Sequence, residues 1–316
     1  MSELWQFFRL CAPLFVLVLV GFLIAKWRWR REWTELGSQL VFRLLLPALL
    51  FHITSGLSEL PPVDARLLIA FFGSCFIVFI IGRVVSARVF HLDGVSQSVF
   101  ALAGVFSNNV LLGVPIAKMA LGEEALPSVA LVLIFNALTL WTLATISVEW
   151  ARHGEFTAAG FGKTALSVLK NPLVVAILIG TAFGLSGLKL FDWAEIALDG
   201  ISQLAAPLAL LVLGMGLAEY GIRQGFSQSI AICVLKLIVQ PLVVWALAAM
   251  LGLPPIETSV VVLLASLSVG VNVYVMAVQF GTLQGTVASS LVLSTLLASL
   301  TTPALLALLH AVSPHH

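Results

Sequence analysis

Apolar runs of around 20 residues recur from one end of the chain to the other, divided by short polar connections. Each run is long enough to cross ~30 Å of hydrocarbon as a helix rising 1.5 Å per residue. Hydropathy, with proline, glycine and charge as punctuation, predicts ten spans. The first five lie near 5–25, 39–57, 67–85, 96–121 and 127–148, and the second five near 172–188, 201–218, 229–251, 258–280 and 288–311. The pattern predicts an all-α integral membrane protein with no soluble domain.

Two spans break the apolar pattern. The fourth reads Gly104-Val105-Phe106-Ser107-Asn108-Asn109-Val110-Leu111-Leu112-Gly113-Val114-Pro115. Adjacent asparagines deep in hydrocarbon are costly, because each amide needs partners where no water is present. Gly113 and Pro115 weaken the helix beyond them, Pro115 by removing a backbone donor. The ninth span carries Ser266, Ser268, Gly270, Asn272 and Tyr274 in a Val/Leu run. Both patterns predict half-helices joined by an unwound linker, which is tolerated at that depth only where protein buries it or where it lines a cavity. Half-helix N-termini carry partial positive charge. With the amides they could hold a carboxylate without a full counter-charge. The candidate substrate-binding residues are therefore Ser107, Asn108, Asn109, Ser268, Gly270, Asn272 and Tyr274, with Asn136 of the fifth span as a further buried amide. The competing reading is that these groups only bond helix to helix.

Composition supports the membrane assignment. Of 316 residues, 60% are hydrophobic and only 10% charged, with a mean hydropathy of +1.09. That is too little charge to cover a water-facing surface. A net charge of +1 gives no hint of a nucleic-acid partner. Cys11, Cys75 and Cys233 all fall in apolar runs without metal-ligand spacing, and read as packing residues. The first apolar run is too long for a signal-peptide core and is followed by basic residues, so it reads as a span.

Alternating the ten spans places ten of the sixteen Lys and Arg residues on one side, beginning with Lys26, Arg28, Arg30 and Arg31 after the first span. Four (Arg9, Arg66, Lys118 and Lys189) fall on the other side, while Arg43 and Lys236 lie within spans, where the default is that they snorkel to a surface. The positive-inside rule then puts both termini on the non-cytoplasmic side. Trp27, Trp29, Trp33 and Trp150 flank the basic connections as interfacial aromatics do.

The halves echo one another. Pro13 and Pro172 are 159 residues apart, Pro47 and Pro207 160, and Asn108 and Asn272 164. An odd number of spans per half makes the repeats inverted, 1–150 and 151–316, and interrupted helices in matching places point to a secondary transporter's binding site. Gly180-Thr181-Ala182-Phe183-Gly184 reads as a packing face, and His52 and Ser55 as pocket border or interface. The acidic residues lie in connections and span ends, with Glu149, Glu219 and Glu257 nearest to spans. No phosphate loop, metalloprotease motif or intramembrane aspartyl pair occurs, which argues against an enzyme; no catalytic residue, metal or cofactor is assigned.

Ser107-Asn108-Asn109 through Gly113-Val114-Pro115 resembles the fourth helix of the auxin efflux carrier family. The resemblance extends to Leu46-Pro47-Ala48-Leu49-Leu50-Phe51, Lys170-Asn171-Pro172, Leu213-Gly214-Met215-Gly216-Leu217, Ala288-Ser289-Ser290 and Ser294-Thr295-Leu296-Leu297, and so to essentially the whole chain. The family includes plant auxin exporters and bacterial carriers of malonate and malate, and the short form is similar to the bacterial branch, in the cytoplasmic membrane. The resemblance implies ten helices in two inverted five-helix repeats, with helices 4 and 9 crossing at the midplane. Helices 1, 2, 6 and 7 would form a scaffold, helices 3–5 and 8–10 an elevator-like transport domain, and the assembly a homodimer. Family members often carry a proline at the helix 9 crossing; here Ser268 takes that place, so that break rests on Gly270.

The leading expectation is a carrier of small organic anions such as dicarboxylates or auxin-like acids. The alternatives are a sodium- or proton-coupled symporter or antiporter on the same architecture, and a non-transporting membrane receptor.

Overall fold

The computed structural model describes residues 2–27, 36–37, 39–56, 64–153, 172–219 and 225–312. Among these, every named element is a helix or helical turn, and the one β-type pairing is an isolated bridge between Ser107 and Val269. Residues 28–31, Trp29, Trp33, Lys163, Lys170, Asn171 and Arg223, which bear on the orientation and family arguments, lie outside the described residues, as do His315 and His316.

Helix α1 spans Ser2–Trp27, with Pro13 inside it. A π turn at Val41–Leu45 leads into α2, Leu46–Ser55, whose Pro47 sits in the first turn where no intrahelical donor is lost. Helix α3 is Arg66–Arg88 and α4 is Gly94–Ala103. A second π turn, Asn109–Gly113, opens α5, Val114–Leu121; α6 is Leu126–His153. Then come α7, Pro172–Leu185, and α8, Asp192–Glu219. Helices α9, Phe226–Val234, and α10, Gln240–Met250, are joined by a third π turn, Leu235–Val239. Last are α11, Pro255–Ser266, α12, Val271–Phe280, and α13, Gln284–Val312.

Among the described residues, five stretches are long and apolar enough to cross a membrane: Arg66–Arg88, Glu123–Arg152, Asp192–Met215, Phe226–Met250 and Gln284–Leu309. Helix α1 is comparably long, at 26 residues, and other described apolar segments form helices of 10–17 residues. The expected spans at 96–121 and 258–280 are each two helices, α4 with α5 and α11 with α12, interrupted over 104–108 and 267–270. With 12 residues or fewer, none of the four crosses ~30 Å alone. Large apolar side chains stand on the outer faces, among them Ile69, Ile80, Leu204 and Leu300. Such surfaces suit hydrocarbon and not water.

Two helix pairs pack through glycines. On α1 and α8, Gly21 lies on the Leu211 carbonyl and Gly214 on the Val18 carbonyl, so closely that a Cβ at either position would overlap backbone. On α2 and α7, Cβ atoms at Gly180 and Gly184 would lie 2.8 Å from the Phe51 and Ser55 carbonyl oxygens. The small-residue face read at 180–184 thus meets a helix backbone, the packing that small residues permit between membrane helices. His52 Nδ1 lies 3.3 Å from the Ser202 hydroxyl, on the α2–α8 side.

Elsewhere α3, α4, α10 and α11 enclose a core of Phe71, Phe100, Phe106, Leu102 and, fully buried among them, Lys236. The expectation that Lys236 snorkels to a surface is therefore corrected: its stem runs inward and its ammonium finds polar partners there. Arg43 is exposed. Arg83 ties α3 to α4 and α6, donating to Ser98 Oγ at 3.1 Å, to Gln97 Oε1 at 3.2 Å, and to Ser147 Oγ. Cys75 and Cys233 are buried free thiols, as packing residues would be.

Candidate functional site

Helix α4 ends when the Gly104 and Phe106 amides turn back onto the carbonyls of Phe100, Ala101 and Leu102. The chain then runs extended, and its backbone groups must find partners elsewhere. They find them on the other interrupted segment. The Asn108 amide donates to the Ser268 carbonyl at 3.0 Å, and the Gly270 amide to the Phe106 carbonyl at 2.7 Å, framing the Ser107–Val269 bridge. The Val269 amide donates to Ser294 Oγ of α13 at 3.0 Å. The two linkers thus cross in contact, each satisfying the other's backbone.

Gly270 is needed at the contact. A Cβ there would lie 2.9 Å from the Ser107 carbonyl oxygen and 3.0 Å from the Phe106 ring. Beyond the crossing, the Asn108 carbonyl accepts from the Leu112 and Gly113 amides, and the π turn begins. Gly113 closes that turn against α11, where a Cβ would meet Leu264 Cδ2 at 2.9 Å, and Pro115 sits in the first turn of α5. The loss of helical geometry lies at 104–108, ahead of both residues.

A cavity of about 40 Å³ opens at the crossing. It is lined by Phe106, Ser107, Asn108, Asn109, Val110 and Leu111 from the first linker, Gly270, Val271 and Asn272 from the second, Asn136 of α6, Leu46 of α2 and Leu173 of α7. Of the residues singled out in the sequence, Ser107, Asn108, Asn109, Asn136, Gly270 and Asn272 share this wall. Ser268 is fully buried beside it, and Tyr274 is not in the wall. The apolar lining residues Leu46, Phe106, Val110, Leu111, Leu173 and Val271 were not foreseen. No sequence signal marks a leucine or phenylalanine as lining a cavity rather than a core.

The polar atoms here are unusual in lacking partners. Asn109 is 2% exposed, and neither its amide oxygen nor its amide nitrogen makes a hydrogen bond. Asn108 Nδ2, Asn136 Oδ1, Ser107 Oγ and Ser268 Oγ are equally unsatisfied. A buried polar group left so costs about 1–3 kcal/mol, and a cluster of them calls for water or a ligand. No charged side chain lines the cavity. What faces a ligand is amide groups and the first turns of two helices, at Asn109–Gly113 and at Val271–Phe280. Helix starts carry unpaired N–H groups and a partial positive charge. This arrangement can accept an anion by hydrogen bonds and dipoles alone.

Residues 6–306 match the family model described as "Membrane transport protein". A protein of Rhizobium meliloti (strain 1021) named "Putative malonate transporter" is 27% identical over 310 residues, covering 96% of this chain and 95% of the relative. An uncharacterized transporter of Methanocaldococcus jannaschii is 24% identical over 263 residues, covering 80% of this chain and 82% of its own. With two interrupted helices crossing at a polar cavity, and a family match along nearly its whole length, the chain belongs to the membrane transport protein family, that of the auxin efflux carriers.

Proposed function

We propose that this membrane transport protein is a carrier of small organic anions, with dicarboxylates as the leading class, and that the cavity at the crossing is its substrate site. The observation that carries this reading is the pair of unpartnered amide nitrogens of Asn108 and Asn109 on one uncharged cavity. An amide N–H is a ready donor to a carboxylate, and the helix starts add a favourable field. The small cavity fits a carboxylate head better than a bulky organic cation. The name of the Rhizobium relative supports malonate as the first probe.

The movement we propose is of elevator type. Helices α3 to α6 and α9 to α13 carry the crossing, and α1, α2, α7 and α8 form the scaffold, in two inverted repeats that meet near residue 150. Glycine-mediated packing of α1 on α8 and of α2 on α7 supports a rigid scaffold. The cavity draws Leu46 and Leu173 from that side and all its polar groups from the other, which supports a site at the moving interface. Ten spans, non-cytoplasmic termini, a bacterial inner membrane and a homodimer belong to the same proposal.

The test is a thermal-shift series on purified protein with malonate, malate and an indole carboxylate. A specific ligand raises stability by mass action, about 2.7 kcal/mol at a hundred times its Kd. Saturable stabilisation by one carboxylate and not by its amide supports the reading. No stabilisation by any of them removes it.

A further inference from the structure

Lys236 is the buried charge that the substrate site does not use. It sits on the Leu235–Val239 turn between α9 and α10, is fully buried, and has no carboxylate within ion-pairing distance among the described residues. Its ammonium donates to Gln240 Oε1 at 2.7 Å and to the Ala265 carbonyl. Gln240, one turn along and also fully buried, passes the contact on. Its Nε2 donates to the Val105 carbonyl at 3.0 Å and lies 3.4 Å from Cys75 Sγ.

These acceptors have a common character. Ala265 is in the last turn of α11, and Val105 lies just past the end of α4. They are the carbonyl ends of the two interrupted half-helices, each carrying partial negative charge. Freed carbonyls at such breaks are the groups that coordinate sodium in carriers built from discontinuous helices. Here one is taken by the lysine itself and the other by the lysine's amide partner. The neighbouring Ser266 carbonyl accepts from Thr302 Oγ1 at 3.1 Å, so it is occupied too. The groups facing the ammonium are otherwise the Cys75 thiol and neutral amides. A buried ammonium is costly without compensation, and the two helix ends supply it.

We propose that Lys236 is the resident cation of the crossing. Its ammonium fills the place between the half-helix C-termini that a sodium ion would otherwise take, so the protein binds its anion without a metal cation. Lys236 is a positioning residue: it acts through Gln240 and the linker backbones and does not touch the anion. The anion half of this inference rests on the proposed carboxylate site; the sodium half does not.

The experiment uses full-length purified protein, with thermal stability followed in sodium chloride and in choline chloride at equal ionic strength, with and without malonate. The wild type is expected to melt at the same temperature in both salts and to respond equally to malonate. K236M is expected to lose about tenfold or more in apparent malonate affinity in both salts. K236S, which leaves room for an ion, is expected to regain malonate affinity in sodium only, a response that a purely structural lysine would not produce. Saturable sodium stabilisation of the wild type would overturn the inference, as would wild-type malonate affinity in K236M. Should neither variant fold, the wild-type sodium comparison decides alone. A wild type indifferent to malonate in both salts removes the carboxylate reading, while its response to sodium still decides the resident cation.

Discussion

The backbone amide of Asn108 donates to the carbonyl of Ser268 across 160 residues of sequence, at 3.0 Å, where the two interrupted helices meet. With the reciprocal Gly270-to-Phe106 bond, it makes the geometry of each break depend on the other. An anion contacting Asn108 and Asn272 would therefore report on both halves at once. This coupling makes the crossing a unit and fixes what its variants should do.

Gly270→Ala brings a Cβ to 2.9 Å from the Ser107 carbonyl oxygen, a backbone atom that cannot swing aside. The linkers must separate, weakening the 2.7 Å Gly270–Phe106 bond. We expect a loss of about 1–3 kcal/mol, as for overpacking in a tight interior. The check is the melting temperature together with malonate response, and both should fall. A variant with unchanged melting would show that the linkers do not touch as described.

Asn109→Leu should separate function from stability. The asparagine amide is buried with both polar atoms unpartnered, so an apolar side chain of similar size removes a cost of about 1–3 kcal/mol. The variant is expected to melt higher than wild type without ligand and to show no malonate stabilisation. A lower melting temperature would mean that Asn109 has structural partners in the free protein.

Asp93 caps α4. Its carboxylate accepts from the Val95 amide at 3.0 Å, the Ser96 amide at 3.1 Å and the Ser96 hydroxyl at 2.5 Å. The Ser96 hydroxyl, outweighing the opposite push of burial, and the two amides hold its pKa below the usual carboxylate value. A pKa lowered by folding gives stability that is present above the unfolded value of about 3.9 and is lost as pH falls through the folded one. Asp93→Ala should cost about 1 kcal/mol at neutral pH, and Asp93→Asn less. The difference between wild type and Asp93→Ala should narrow in acid melting curves. A gap that stays constant below pH ~3 would contradict the cap.

Gly214→Ala tests the α1–α8 face. The added methyl overlaps the Val18 carbonyl oxygen and comes to 2.9 Å from the Phe22 amide nitrogen, so the helices must part. We expect destabilisation of at least about 1–3 kcal/mol. Gly200→Ala on the same helix α8 meets nothing within 4 Å and serves as the control, with stability unchanged or slightly raised. Equal effects at the two positions would rule out the close approach.

The sequence made the interrupted helices visible because Asn108 and Asn109 cannot be ignored in an apolar run. It also brought six of the eight candidate residues to the one cavity. Tyr274 was grouped with Asn272 by nearness in the chain. Two residues along a helix is about 200° of rotation, so it stands on nearly the opposite face. Leu46 and Leu173 were invisible for a different reason: leucine reads the same whether it lines a cavity or a core. Lys236 was misread because a lysine in an apolar run most often snorkels, and nothing local shows that its stem points toward a carbonyl 29 residues later. The unwound linker was read at the Asn108 patch, with Gly113 and Pro115 weakening the helix beyond it; regular helix is lost over 104–108, ahead of both, where the backbone bonds to the other linker. Long-range pairing of that kind leaves no local mark.

The most direct measurement of the central claim is malonate uptake into proteoliposomes by the wild type, Asn108→Ala and Asn272→Ala at matched protein incorporation. The account predicts saturable uptake by the wild type and a loss of about tenfold or more in each variant, with melting temperatures close to wild type. Uptake at the wild-type rate and apparent affinity in both variants would contradict it, because the anion would then be bound somewhere other than the crossing.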